Sequence, residues 1–213
     1  MRMHFKGWGK LAILASFIAL TFFVVPAQGA VIFSDNFNAE NGGVGVLNFS
    51  AFSKWTVSDG TVDLIGQGTP YDFYPGNGLY VDLDGSTYNA GKMTSTSLSL
   101  APGDYELKFL LGGNARGAAD DTVVVSVAVG LLVNNSFTLA SNFPLSSFTL
   151  PFTVLSQTNG NIIFDHQGGD NIGIILDQVS LNSVSPVPEP GTMMLLGSGL
   201  VGLAGYGRRR MKK

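Results

Sequence analysis

Cysteine is absent from the 213 residues. That excludes disulfides, zinc–cysteine sites, iron–sulfur clusters and thiol nucleophiles. An exported fold built from this chain must hold by its core or by a metal that takes oxygen ligands. Charge is also scarce, at 13 % of residues, against about 25 % in ordinary globular proteins. There are two histidines, His4 and His166. The first lies in an amino-terminal leader, so a two-histidine metal centre is excluded once that leader is lost. Basic residues are missing from the middle of the chain. Of 12, three (Arg2, Lys6, Lys10) open the sequence and five (Arg208, Arg209, Arg210, Lys212, Lys213) close it. Only Lys54, Lys92, Lys108 and Arg116 lie between, among nearly all of the 15 acidic residues. A body this acidic has no patch to replace phosphate counterions, which argues against a nucleic-acid partner.

What is present begins with two addresses. Residues 1–29 have a basic head, an apolar run from Leu11 to Val25, a helix-breaking Pro26 and the small-residue pattern Ala27-Gln28-Gly29. This is the three-part layout of a secretory signal peptide, with cleavage expected after Gly29 or Ala30. An uncleaved membrane helix is the alternative, disfavoured by the short run and the processing pattern behind it. Residues 186–213 form the second address. Pro186, Pro188 and Pro190 hold an extended stretch, an apolar Gly-rich segment runs from Thr192 to Gly207, and a basic cluster ends the chain. The apolar segment is short of the ~20 residues of a comfortable span. Its basic end should stay cytoplasmic, so it reads as a short transmembrane peg holding the body by its tail.

Val187-Pro188-Glu189-Pro190-Gly191, the apolar stretch, and Arg208, Arg209 and Arg210 together resemble a PEP-CTERM sorting signal. The resemblance implies export by a Gram-negative bacterium that makes exopolysaccharide. It implies passage through the secretion machinery, transient anchoring in the inner membrane and processing by an exosortase. The destination it implies is the cell surface or an extracellular, biofilm-type matrix. A plain membrane anchor would keep the topology and lose the processing.

Between the addresses, residues 30–185 alternate with a period of two. In "DYELKFLL", Tyr105, Leu107 and Phe109 face one way and Glu106 and Lys108 the other. In "DTVVVSVAVG", Val123, Val125, Val127 and Val129 share a face, and their β-branching disfavours helix. Further strands are expected in "VIFSDNF", "KWTVS", "TVDLIG", "GLYVDLDG", "MTSTSLSL", "SFTLPFTVL", "NIIFDH" and "IGIILDQVSL". Turn signals such as Asp84-Gly85 and Asn159-Gly160 separate them. The pattern predicts an all-β domain, a jelly-roll β-sandwich. "WTVSDGTVDLIG", "GLYVDLDGS", "LSLAPGDYELKFLLGGN" and "IILDQVSL" resemble, in order, the choice-of-anchor domains, relatives of galactose-binding-like, carbohydrate-binding jelly rolls. The likeness is weakest over residues 112–160.

Two aspartates stand in phase with apolar neighbours: Asp35 with Val31, Phe33 and Phe37, and Asp177 with Ile175, Val179 and Leu181. A bare carboxylate there is costly. A bulge that re-aims it, backbone hydrogen bonds or a cation would compensate. In a jelly roll the first and last strands commonly lie side by side, and oxygen ligands suit Ca²⁺. The resemblance extends a structural calcium to Asp35 and Asp177, with carbonyls near Asn38 or Glu40 completing the shell. Tyr71, Phe73, Tyr74 and Tyr80 cluster around a Pro-Gly turn. The first three are candidate sugar-stacking rings, against the plainer role of plugging one end of the sandwich. His166, near Asp165 and Asp170, reads as a solvated turn residue, and Asp120-Asp121 as a wet loop. No nucleophile elbow occurs in the body. The function expected is a non-enzymatic exported sandwich that binds carbohydrate weakly or assembles with matrix components. The alternative is a secreted glycan-active hydrolase, whose carboxylate pair would come from distant positions.

Overall fold

The computed structural model describes residues 29–184 together with 197–200, 202, 204, 207 and 208. Ala27–Pro186 form one compact unit, and its strands make the all-β jelly-roll sandwich expected from the sequence. In chain order they are β1 (Val31–Asp35), β2 (Trp55–Ser58), β3 (Asp63–Gly66), β4 (Leu79–Asp82), β5 (Lys92–Ser95), β6 (Leu98–Leu100), β7 (Gly103–Gly112), β8 (Asp121–Val127), β9 (Val133–Leu139), β10 (Ser146–Val154), β11 (Thr158–Gly160), β12 (Ile162–His166) and β13 (Ile175–Val184). One sheet runs β10-β7-β13-β4-β3, with β1 also on β13. The other runs β2-β5-β12-β8-β9, and β6 and β11 form a separate ribbon. From β7 onward the chain passes repeatedly between the two main sheets, so their inner faces are built together.

Alternation makes the core. Leu107, Phe109 and Leu111 of β7 meet Val123, Val125 and Val127 of β8 and Phe164 of β12 in one buried cluster. Phe109 meets Phe164 edge-on at 5.3 Å, and Phe33 meets Trp55 edge-on at 5.2 Å. Each such ring removed from water contributes roughly 1.5–3 kcal/mol. β3 and β4 are buried on both faces, because a second small cluster of Ile65, Tyr80 and Ile175 lies apart from the main core and packs with Phe73, Tyr74 and Leu145.

Three strand readings change. "MTSTSLSL" is two strands, β5 and β6, broken at Thr96-Ser97. β9 and β11 lie in the stretch where the sequence offered no clear anchor. β9 and β10 are edge strands, and β9 has a mostly exposed pattern, so it carries little alternation to read. Of the carboxyl-terminal segment, the described residues are helical, and no helix among the described residues is long and apolar enough to cross a membrane. The signal peptide up to residue 28, the sorting residues Val187, Pro188, Glu189, Pro190 and Gly191, and Arg209 and Arg210 lie outside the described residues; Arg208 is exposed.

Candidate functional site

Two acidic loci and one aromatic loop carry polar chemistry on the sandwich. The first locus is made by β13. One side of this strand is shared end to end: β4 pairs with Ile175 and Leu176, and β1 pairs with Val179 to Asn182. Where the neighbour changes, β13 bulges between Asp177 and Ser180, with Gln178 at φ 48°. The extra residue reverses the side-chain phase. Ile174 and Leu176 before it, and Val179 and Leu181 after it, all belong to the main core. Asp177 therefore shares its side with Ile175 and not with Val179 or Leu181, which corrects the parity read from sequence. The bulge, one of the three compensations weighed, is present.

Asp177 is nonetheless fully buried. Its Oδ1 accepts from the Gln178 N–H at 2.7 Å, the Gln178 side chain also acts on the carboxylate, and no hydrogen bond closes on Oδ2. Burial pushes its carboxyl up to about 7, with the Asp35 charge adding to the rise. Asp35 is differently placed. Its Oδ1 accepts from Phe37 N–H and its Oδ2 from the Trp55 indole N–H, both at 2.9 Å. Glu40 is held by Ser53, whose N–H and hydroxyl donate at 3.0 and 2.6 Å. Asp35, Asn36, Asn38, Glu40, Lys54 and Gln178 line a cleft of about 710 Å³. Asn38 and Gln178 also border a second cleft, with Gln67 and Asn77. For a cation, the locus offers one orphaned oxygen, Asp177 Oδ2, beside a carboxylate whose oxygens are already engaged.

The second locus lies where β4, β7, β8 and β12 end or begin. Asp82 Oδ1 accepts from the N–H groups of Asp84 and Gly173, at 3.1 and 3.0 Å, and Oδ2 accepts from the Arg116 guanidinium. Arg116 also donates to Asn171 O at 3.2 Å and lies 5.2 Å from the centre of the Phe73 ring. Asp121 accepts from Asn114 Nδ2 at 3.1 Å, and Asn114 Oδ1 accepts in turn from Arg116 N–H and Ser141 Oγ. Burial pushes Asp82 up to about 8 even opposite Arg116, pushes Asp121 up to about 6, and raises Asp84.

His166 is 4 % exposed, not the solvated turn residue expected, and Asp121 opens β8 as a buried side chain rather than lying in a wet loop. Two backbone N–H groups point at the imidazole: Gly168 N lies 3.0 Å from Nδ1 and Ile174 N 3.2 Å from Nε2. A neutral imidazole accepts at one nitrogen only, and an imidazolium at none. Burial holds its pKa down at about 4, against a smaller upward pull from Asp170. Its nitrogens are committed to the loop and are not open to a substrate proton.

The sequence reading missed Asp82, Asp84, Asn114 and Arg116. A signal existed: Asp82 interrupts, and Asp84 directly follows, the otherwise apolar run Leu79 to Leu83. Among the described residues no group of three or more His, Cys, Asp or Glu is placed to hold a metal ion.

The aromatic loop has one fixed part and one open part. Tyr80 is fully buried, and its hydroxyl accepts from Tyr74 N–H at 3.0 Å. The Tyr74 hydroxyl reaches the carbonyls of Gly113 and Phe143 at 2.7 and 2.9 Å, and burial raises its pKa. Phe73 is half-buried under Arg116. Tyr71 is 37 % exposed and borders a groove of about 400 Å³ with Val46, Leu47 and Pro70.

Comparison with known proteins bears on the tail and on the fold. Residues 186–210 match the PEP-CTERM protein-sorting motif, which marks an exported protein sorted through an exosortase. No curated protein matches the chain. Among solved structures, the K1 cleaved adhesin domain of Lys-gingipain from Porphyromonas gingivalis W83 aligns with a TM-score of 0.50 at 15 % identity, over 74 % of this chain and 100 % of that one. The K3 cleaved adhesin domain of the same protein gives 0.49 at 18 % identity, over 73 % and 99 %. TmCBM61, solved in complex with β-1,4-galactotriose, gives 0.45 at 16 % identity, over 62 % and 90 %. At these identities the likeness is one of fold.

Proposed function

We propose that this chain is a non-catalytic β-sandwich delivered to the cell surface or the extracellular polysaccharide matrix of a Gram-negative bacterium, where it binds carbohydrate weakly. The observation that carries the reading is the sorting motif over residues 186–210 behind an acidic jelly roll. Its partners are the secretion machinery, the inner membrane during transit, an exosortase and extracellular glycan. The amide-lined clefts on either side of Gln178 have the hydrogen-bonding character that sugar hydroxyls need. Tyr71, with Phe73 and Tyr74 behind it, supplies an aromatic face beside a groove. A structural calcium at Asp177 and Asp35 would satisfy the orphaned Asp177 Oδ2 and fix the β1–β13 junction. It would stabilise the fold and do no chemistry.

The test uses the full-length chain in a host with and without its exosortase. Processing of the tail and appearance outside the cell are expected only with the enzyme. The protein recovered from outside is then screened on glycan arrays and assayed for released sugar. Turnover abolished by one Asp or Glu substitution would overturn the non-catalytic reading, and retention in the cytosol would overturn the export reading.

A further inference from the structure

The locus at the ends of β4, β7, β8 and β12 is not used by the function proposed above. It holds Asp82, Asp84, Asp121 and Asp170 and one guanidinium, Arg116, which pairs with Asp82 and acts on Asp121. Asp84 is the unusual member. It is 0 % exposed. Its Oδ2 accepts from Asp170 N–H at 3.1 Å, the N–H groups of Gly169 and Asn171 also act on the carboxylate, and no hydrogen bond closes on Oδ1. Asn171 Oδ1 is also buried without a donor. Both orphans are acceptor oxygens, and both belong to one loop junction. Asp84 interacts electrostatically with Asp170, and Asp121 with both. The packing leaves the carboxylate little room to turn away. A Cβ on Gly168 would come 2.6 Å from Asp84 Oδ2, and one on Gly173 would come 2.4 Å from Asp84 N.

Buried acceptors without donors are costly. Two of them beside further carboxylates make a donor set for a hard cation, which takes six to eight oxygens from carboxylates, amide and backbone carbonyls and water. Three protein carboxylates in direct contact are not required for such a shell, so the set is compatible with the absence of a three-ligand group of His, Cys, Asp or Glu. His166 is not a ligand, because its nitrogens face the amides of Gly168 and Ile174.

We infer that this junction is a calcium site, separate from the Asp35–Asp177 locus, in which Asp84 Oδ1 and Asn171 Oδ1 are inner ligands and Asp121 and Asp170 complete the charge. It does not rest on the glycan reading.

The full-length protein, purified in detergent and stripped with a chelator, is titrated with calcium by calorimetry in an Asp177→Asn background, which silences the edge locus. One ion is expected to bind. Asp84→Asn should abolish that binding. Asn171→Gly should weaken it about ten-fold or more. The second variant guards against misfolding: Asn171 has φ 69°, a conformation glycine adopts freely. Absence of binding by the Asp177→Asn protein into the millimolar range overturns the site. So does an affinity within two-fold of the background in a folded Asn171→Gly protein.

Discussion

The edge locus and the end locus both bury aspartate in an acidic domain, yet they neutralise it differently. At the edge, β13 bulges so that Asp177 turns away from the main core, and Asp35 is tied by an indole and an amide. Among the described residues no guanidinium contacts it; Lys54 donates instead to Ser34 O at 2.5 Å. At the end, Arg116 pairs with Asp82 and acts on Asp121, and backbone N–H groups answer Asp82 and Asp84. The edge is arranged by backbone geometry, the end by a resident charge. Losing the resident charge should therefore matter more than losing any single group at the edge.

Arg116→Ala tests this most directly. It leaves the Asp82 carboxyl buried without its partner and, even with that carboxyl protonated, should destabilise the domain by roughly 3 kcal/mol, read from the urea midpoint. An effect under about 1 kcal/mol would erase the contrast between the loci.

The second test separates them by pH. Burial holds the folded His166 pKa down at about 4, below the ordinary 6.5 of an imidazole, so the unfolded state binds more protons between those values. Its contribution is intact above about pH 6.5 and is lost as pH falls toward 4, by about 3 kcal/mol at pH 4. The raised carboxylates Asp82, Asp121 and Asp177 slope the other way, losing stability as pH rises through their folded values. The difference between wild type and His166→Gln across pH 4–7 isolates the histidine. Parallel curves would show that the end locus has no acid limb of its own.

Calcium removal sharpens the edge side. In protein holding the ion at about 100 times its dissociation constant, a chelator should cost about 2.7 kcal/mol per site. Asp177→Asn should abolish the edge part of that melting shift. The smallest effect is expected where the aromatic loop joins the end locus. Tyr74→Phe removes the hydroxyl that holds the carbonyls of Gly113 and Phe143 and should cost about 1 kcal/mol in a denaturant titration. Tyr71→Ala, on the open side of the same loop, should stay within about 0.5 kcal/mol while lowering glycan retention.

The same contrast explains what the sequence discloses. Strands β7, β8 and β12 are legible because each has one dry and one wet face. β9 is not, because polar Asn135 stands in phase with the inward Val133, Phe137 and Leu139 and breaks the alternation. The Asp35–Asp177 pairing was approachable because strand phase and strand adjacency are local and topological properties. The reversal at Gln178 was not, since no glycine or proline marks that left-handed residue. His166 and Asp121 looked wet because their neighbours in sequence are turns. Their burial comes from segments far away, as when His166 N–H donates to Gly91 O. Arg116 looked like one more loop cation, and only the folded chain sets it against Asp82.

The junction along β13 has a consequence for the order of events during export. On the proposed route, threaded amino end first, β1 would be the first strand to cross, and its ladder is with β13, the last. Some 150 residues would have to follow it out before that ladder could close. The leading strand would then wait, unzipped, while the rest of the domain is threaded through, and the sandwich would be sealed only when its final residues arrive.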